Sequence, residues 1–257
     1  MQAIETPQTE DVEVSDPEFS ESQWSDWKWH LAHCIRSIKS VERLLGVTFD
    51  REERDLLEKT LGHFPMSITP YYFSLIRAAN FREDPVYRQA VPFVDEIDVA
   101  PHDMSDPLHE DADSPACGIT HRYPDRVLFH VSNVCSMYCR HCTRKRRVGD
   151  MDMIPNREEL EEGLRYIEET PVIRDVLLSG GDPLMLSDST IDWLLGRLRA
   201  IDHVEIIRLG TRMPVVLPQR ITPELVDVLK KHHPLWINTH FNHPQEITST
   251  ARRALAM

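Results

Sequence analysis

The chain has 257 residues, of which 41% are hydrophobic and 28% are charged, and its formal net charge is -13 at pH 7. These values are typical of a globular protein with one large domain, or one domain with an extension. The acidic balance argues against a nucleic-acid partner, which needs basic surface, and no apolar stretch approaches the roughly 20 residues that span a bilayer. The N-terminus lacks the apolar core of a signal peptide, so we expect a cytoplasmic protein without a membrane partner.

The N-terminal third of the chain predicts helices. Residues 24–45 predict one helix, because apolar residues recur at three- and four-residue intervals after the candidate N-caps Ser25 and Asp26. A second helix is predicted over residues 50–62, whose final glycine is a candidate stop, and a third over residues 69–76. Together these elements predict a helical extension that precedes the main domain.

Two stretches flanking these helices lack a regular pattern. Residues 1–22 are acidic and rich in Ser, Thr and Pro, and we expect a disordered tail. Residues 80–120 contain recurrent prolines and an acidic cluster, "DPLHEDADSP", which favours a connecting segment on the surface. A metal site in this cluster is the alternative, with the candidate ligands His109, Glu110, Asp111 and Asp113. We therefore predict an extension with its connecting segment over residues 23–115 and the main domain over residues 116–257.

Short apolar strands alternate with amphipathic helices through the main domain. The predicted strands cover residues 127–134, 174–181, 204–211 and 234–241, and a helical pattern follows each of them. Four such βα units predict an α/β fold with a parallel sheet covered by helices. Four units cannot close an eight-stranded barrel, so we expect an open sheet or a partial barrel, and a chain that is part of a longer protein.

Three of the five cysteines follow the first of these strands, at Cys135, Cys139 and Cys142. An odd number of cysteines, with three crowded into eight residues, is a poor disulfide framework and favours metal ligation. Three thiolates at the end of a strand could bind three irons of a cubane cluster and leave the fourth iron open to a ligand. Zinc with His141 as a fourth ligand, and inert thiols, are the alternatives.

The other strand ends carry further candidates on the same edge of the sheet. The second strand ends in Gly180, Gly181 and Asp182, where glycine lets a ligand approach the backbone and the carboxylate could accept a ligand ammonium group. A simple turn is the alternative for the glycine pair. The third and fourth strand ends add Thr211, Arg212 and His240.

Two groups of cations flank the first strand. Arg122 and Arg126 precede it and suit an anionic group such as phosphate, because guanidinium is a bidentate donor. Salt bridges to the acidic cluster upstream are the alternative. Arg144 begins a run of four cations that follows the third cysteine, "RKRR". A local basic run in an acidic chain indicates a site.

The cysteine spacing CxxxCxxC, followed by a glycine-rich strand end, resembles that of radical S-adenosylmethionine (SAM) enzymes. The longer stretches "THRYPDRV", "CSMYCRHCTRKRR", "DVLLSGGDPL" and "NTHFNHP" resemble the lysine 2,3-aminomutase family, and the similarity extends from Trp24 to the end of the chain. This resemblance implies a partial (β/α) barrel of the radical SAM type, containing the first four βα units, with a mostly helical N-terminal extension.

The resemblance also implies cofactors and roles for individual residues. A 4Fe–4S cluster would be held by Cys135, Cys139 and Cys142, and SAM would bind beside it, with Asp182 and the neighbouring glycines at its amino group. Pyridoxal 5′-phosphate (PLP) would contact Arg122 and Arg126, and Arg144 would pair with the substrate carboxylate. The implied reaction moves the amino group of L-lysine from C2 to C3 through a 5′-deoxyadenosyl radical and gives β-lysine.

Some properties of the family have no counterpart in these residues. The lysine that forms the imine with PLP, and the acids that select the substrate, lie in a C-terminal portion beyond Met257, so no catalytic residue is assigned. Glutamate and arginine 2,3-aminomutases, a related radical enzyme acting on a lysine of a translation factor, and a non-catalytic iron–sulfur or zinc protein are the alternatives. The expected partners are a small amino acid and an electron donor such as flavodoxin or ferredoxin, and we expect a homo-oligomer.

Overall fold

The computed structural model describes residues 20–98, 100–149 and 155–257. The predicted disordered tail lies outside the described residues up to residue 19, and residues 21 and 22 belong to a helix. No helix within the described ranges has the length and low polarity that crossing a bilayer requires.

Short helices make up the N-terminal region. They are α1 (Glu21–Ser25), α2 (Trp27–Ala32), α3 (Ile38–Leu45), α4 (Arg51–His63), α5 (Pro70–Ser74) and α6 (Pro85–Ala90). The prediction of one helix over residues 24–45 is wrong, because Ile35 leaves the helical path and exchanges backbone hydrogen bonds with Ile68 at 2.8 and 3.1 Å. Asp26 does cap a helix, α2. The second helix ends at His63, one residue beyond the predicted stop.

A five-stranded sheet organises the main domain. Its strands, in spatial and sequence order, are β1 (Ile119–Tyr123), β2 (Arg126–Ser132), β3 (Asp175–Gly180), β4 (Ile206–Gly210) and β5 (Leu235–Asn238). The four predicted strands are present and pair in parallel. The sequence analysis missed β1, which pairs antiparallel with β2 through a tight hairpin that places Tyr123 opposite Arg126. The segment over residues 80–120 is therefore less irregular than predicted, because it contains α6 and the beginning of β1.

Helices follow the parallel strands, and those that contribute to the main apolar cluster cover one face of the sheet. The helices are α7 (Arg157–Glu168), α8 (Asp188–Arg199), α9 (Met213–Val216), α10 (Pro223–Lys230) and α11 (Ser249–Leu255). Alternate strand residues such as Phe129, Leu178 and Leu209 are buried in one apolar cluster with Leu164 of α7 and Leu194 of α8. Side chains alternate across a strand, so the residues between them point to the opposite face, which lines the cavities described below. The prediction of an α/β fold with parallel βα units is confirmed for the described chain.

A second apolar cluster joins the N-terminal helices to the cysteine loop (residues 133–149). Tyr72 and Val86 of the helical region are buried in it together with Met137 of the loop. The loop also bonds to the helical region through its backbone, since the Tyr138 amide donates to the Ser67 carbonyl at 3.0 Å. The N-terminal region thus forms part of the support for the cysteines. The domain boundaries at residues 22 and 115 stay predictions.

Candidate functional site

The candidate cluster and SAM ligands lie around one cavity at the carboxyl edge of the parallel strands. This first cavity has a volume of about 460 Å³. It is lined by every residue predicted for the cluster and for SAM, namely Cys135, Cys139, Cys142, Gly180, Gly181, Asp182 and His240. Thr211 and Arg212 line it as well. Residues from four separate strand ends therefore meet at one place, as the parallel topology predicts.

Glycine is required at the end of β3 because the backbone there lies against the cysteine loop. Gly180 has φ of 108°, and a Cβ on it would lie 2.5 Å from the Ser132 carbonyl oxygen. A Cβ on Gly181 would lie 2.5 Å from the carbonyl oxygen of Val134. The Asp182 amide donates to that same Val134 oxygen at 2.9 Å. The glycine pair therefore fixes the position of the strand end relative to the residue that precedes Cys135.

The three thiols surround a space and do not converge on a point. Within the described ranges, no three His, Cys, Asp or Glu side chains lie close enough together to hold a single metal ion. A cubane cluster binds each thiolate through a different iron, so its ligands need to surround a volume, and the first cavity provides one. Burial raises the pKa of the Cys135 and Cys142 thiols. Binding iron would therefore have to displace their protons.

One buried hydroxyl in the first cavity has no hydrogen-bond partner among the described residues. Thr239 lies directly after β5, and its Oγ1 atom is buried without a hydrogen bond to any described residue. An unsatisfied buried hydroxyl is costly, and a bound polar ligand would satisfy it. The neighbouring His240 faces His141 across the cavity, with 6.5 Å between ring centroids. These groups fit a polar ligand beside the thiols.

Asp182 already accepts several hydrogen bonds from the chain itself. Its oxygens accept from the Thr211 hydroxyl at 2.7 and 2.8 Å and from the Arg212 amide at 2.8 Å. Burial raises the pKa of Asp182, while the Thr211 hydrogen bond opposes that shift. Asp182 thus joins the ends of β3 and β4, and its predicted contact with a ligand ammonium group stays a prediction.

The predicted phosphate and carboxylate ligands line a second cavity, of about 290 Å³, on the same face of the sheet. Arg122, Arg126 and Arg144 all line it. Arg208 of β4 is a fourth guanidinium there, which the sequence analysis missed although a cation inside the apolar strand "EIIRLG" was the available signal. The two cavities are linked by the cysteine loop, because the Arg144 amide donates to the Cys142 sulfur at 3.3 Å.

Most of these cations are paired with acids. Arg144 holds the buried carboxylate of Glu110 through contacts of 2.6 and 3.0 Å. Arg122 pairs with Asp113 at 2.8 Å and also donates to the Leu108 carbonyl. Arg126 pairs with the adjacent Asp125, and the remaining cations of the basic run pair as Lys145–Glu96, Arg146–Asp111 and Arg147–Asp111. The acidic cluster thus supplies counterions to several arginines, Arg122 among them, whereas Arg126 pairs outside the cluster; the anion contacts of these arginines stay predictions.

Comparison with known proteins gives a consistent result. Residues 129–255 match the model of the Radical SAM superfamily. The chain is 55% identical over 232 residues to the L-lysine 2,3-aminomutase of Methanococcus maripaludis, covering 90% of this chain and 54% of that protein. It is 51% identical over 235 residues to the L-lysine 2,3-aminomutase of Clostridium subterminale, covering 91% and 56%. It is also 41% identical over 235 residues to the glutamate 2,3-aminomutase of Clostridioides difficile, covering 91% and 55%.

The chain spans about half the length of these relatives. The family match and the relatives imply a 4Fe–4S cluster, SAM and PLP as cofactors, in agreement with the sequence analysis. They also confirm the predicted fold, a partial (β/α) barrel of the radical SAM type with a helical N-terminal region. The chain is therefore a radical SAM protein of the lysine 2,3-aminomutase family.

Proposed function

We propose that this protein contributes the cluster, SAM and PLP sites of a 2,3-aminomutase that converts L-lysine to β-lysine. The observation that carries the proposal is the arrangement of two adjoining cavities, one lined by the three cysteines and the other by four arginines. A flavodoxin- or ferredoxin-type electron donor, a homo-oligomeric state and a cytoplasmic location are part of the same proposal.

In this proposal the first cavity binds the two groups that generate the radical. Cys135, Cys139 and Cys142 would hold the cluster, and the glycines at the end of β3 would let SAM approach the backbone. When bound, the cluster and SAM supply a 5′-deoxyadenosyl radical, and PLP holds the migrating amino group. Thr239 would donate or accept a hydrogen bond at its buried, unpartnered hydroxyl. The surrounding apolar and backbone groups would keep water away from the reacting atoms.

The second cavity would hold anions. Arg122 and Arg126 lie on the two strands of the β1–β2 hairpin and would hold the phosphate of PLP. Arg144 would hold the substrate carboxylate, and its pairing with Glu110 would orient the guanidinium until the substrate arrives. Each of the four guanidiniums is paired with a carboxylate, Arg208 with Asp175, so an anion would bind by competing with these carboxylates for the guanidinium donors.

Lysine is the favoured substrate because the chain is 49–55% identical to five proteins named L-lysine 2,3-aminomutase and 41% identical to the glutamate enzyme. The full-length protein that contains this chain, incubated anaerobically with dithionite, SAM and PLP, should convert lysine to β-lysine, with glutamate and arginine tested in parallel. If glutamate or arginine gives a β-amino acid and lysine does not, that amino acid is the substrate. No product from any of the three would refute the aminomutase function.

The cluster site can be tested separately on this chain. Anaerobic reconstitution with iron and sulfide should give about four irons per chain and a charge-transfer absorption that zinc does not show. Cys139→Ala should lose this absorption. Cys34→Ala is the matched control, because Cys34 is also half-buried but does not line the first cavity. Equal iron uptake by both variants would contradict the assignment of the three cysteines.

A further inference from the structure

Arg212 is a buried cation that lies directly against one of the candidate cluster ligands. It follows β4, and its side chain is 8% exposed. Its Nη1 atom donates to the Cys139 sulfur at 3.0 Å. A guanidinium in this position is permanently charged and delivers both a hydrogen bond and a positive charge to the sulfur.

The opposite edge of the guanidinium is held by a buried polar network. The Nη2 atom of Arg212 donates to Glu246 at 2.6 Å and to the Gln89 side-chain oxygen at 2.5 Å. Glu246 is fully buried and also accepts from the Tyr72 hydroxyl at 2.6 Å. Tyr72 and Gln89 come from α5 and α6 of the N-terminal region, whereas Glu246 follows β5.

Glu246 is itself held by backbone hydrogen bonds, which fix the position of the carboxylate that Arg212 contacts. The amides of Asn242 and His243 donate to its second oxygen at 2.6 and 3.1 Å. The Nε atom of Arg212 has no hydrogen-bond partner among the described residues, but both Nη atoms are bonded, and moving either would leave buried charge without a partner. The network therefore directs Nη1 of Arg212 at Cys139, while Glu246 and Gln89 hold Nη2.

We propose that Arg212, held by Glu246, raises the reduction potential of the cluster by donating to Cys139. The proposal rests on the proposed function, since it requires a cluster on the three cysteines. One-electron reduction makes the cluster more negative by one charge, so a nearby cation stabilises the reduced form. Hydrogen bonds to the ligating sulfurs and the local net charge are known determinants of cluster potentials.

The test is the reduction potential of the reconstituted chain, measured by titration with dithionite and EPR in the absence of SAM. Arg212→Gln should lower the ratio of reduced to oxidised cluster about tenfold at a fixed potential, a shift of about 59 mV to more negative values. Glu246→Gln keeps the shape of the pair but removes its negative charge, and should shift the potential in the opposite direction. A purely structural role would not reverse the sign.

The two single variants and the double variant separate the possible results. If Arg212→Gln fails to fold, the loss of the cation can be measured in the Glu246→Gln background. The double variant Glu246→Gln/Arg212→Gln should then have a more negative reduction potential than Glu246→Gln alone. A cluster whose potential is unchanged by loss of Arg212 overturns this inference and leaves the proposed function intact. A wild-type chain that takes up no iron overturns both.

Discussion

At the scale of single residues, the glycine pair at the end of β3 has the most restricted positions in the site. Gly181 lies so close to the loop that an added Cβ would meet three backbone atoms of Asn133 and Val134, at 2.5 to 2.9 Å. Backbone atoms held in a loop cannot move aside as a flexible side chain can. The identity of this residue is therefore set by packing against the cysteine loop, independently of any ligand.

We expect Gly181→Ala to destabilise the protein by about 1–3 kcal/mol, the usual cost of overpacking, because the loop must shift to admit the methyl group. Urea denaturation measures the difference. Gly62→Ala is the matched control, since no atom lies within 4 Å of a Cβ there and the residue is inside α4. The control should stabilise the protein by up to about 1 kcal/mol through helix propensity. Equal stability of the two variants would refute the packing argument.

The sequence could predict the locations of these residues but not their partners. Hydrophobic periodicity is local, and the rule that parallel strands end at one edge is general, so the four βα units and the residues of the first cavity were predictable. The pairing of Arg212 with Glu246 joins residues 34 positions apart, and that of Arg144 with Glu110 joins the same number. Such pairs are set by tertiary packing, and no local pattern encodes them.

At the scale of elements, the cysteine loop depends on the N-terminal helical region. Arg140 lies between two of the cysteines, and its buried guanidinium donates to Glu96 at 2.7 Å and to the carbonyl oxygens of Phe64 and Pro65. Its amide donates to the Gln89 carbonyl at 2.8 Å. Arg140 therefore attaches the loop to the extension through both its buried side chain and its backbone.

We expect Arg140→Met to destabilise the chain by roughly 3 kcal/mol, because removing one partner of a buried ion pair leaves Glu96 without its main counterion. The reconstituted variant should also lose iron faster in air. Arg146→Met is the control in the same loop, where a more exposed ion pair should contribute about 1 kcal/mol or less. Denaturation and iron-release rates are the measurements, and similar losses in both variants would contradict a specific role for Arg140.

The acidic cluster also affects how tightly the second cavity binds anions. Glu110 is the one carboxylate that lines it among the described residues, and its negative charge would repel an anion bound there. Glu110→Gln should therefore tighten the binding of inorganic phosphate several-fold, as measured by calorimetry. Glu168→Gln removes the same charge from an exposed position on α7 and should leave phosphate binding unchanged. Weaker binding by Glu110→Gln would mean that orientation of Arg144 outweighs the change in charge.

At the scale of the whole molecule, a buried histidine in the sheet makes the stability of the fold depend on pH. His130 of β2 is 4% exposed, and its ring shares a 2.9 Å hydrogen bond with Thr120 of β1. Burial, together with the positive charge of Arg144, lowers the pKa of His130 to about 4, and Glu110 opposes the shift only in part. The folded protein therefore keeps this ring neutral where the unfolded chain would protonate it.

A lowered pKa in the folded state means that the unfolded chain binds more protons between the two pKa values, so stability falls as pH decreases from about 6.5 to about 4. A shift of this size corresponds to about 3 kcal/mol lost across that window. Replacing the imidazole with a neutral amide in His130→Gln should remove this part of the pH dependence, at the cost of a lower stability at pH 7. His102→Gln, on the exposed connecting segment, is the control and should keep the wild-type slope. Urea denaturation at half-unit pH steps measures the slopes, and an unchanged slope in His130→Gln would show that other groups titrate in this window.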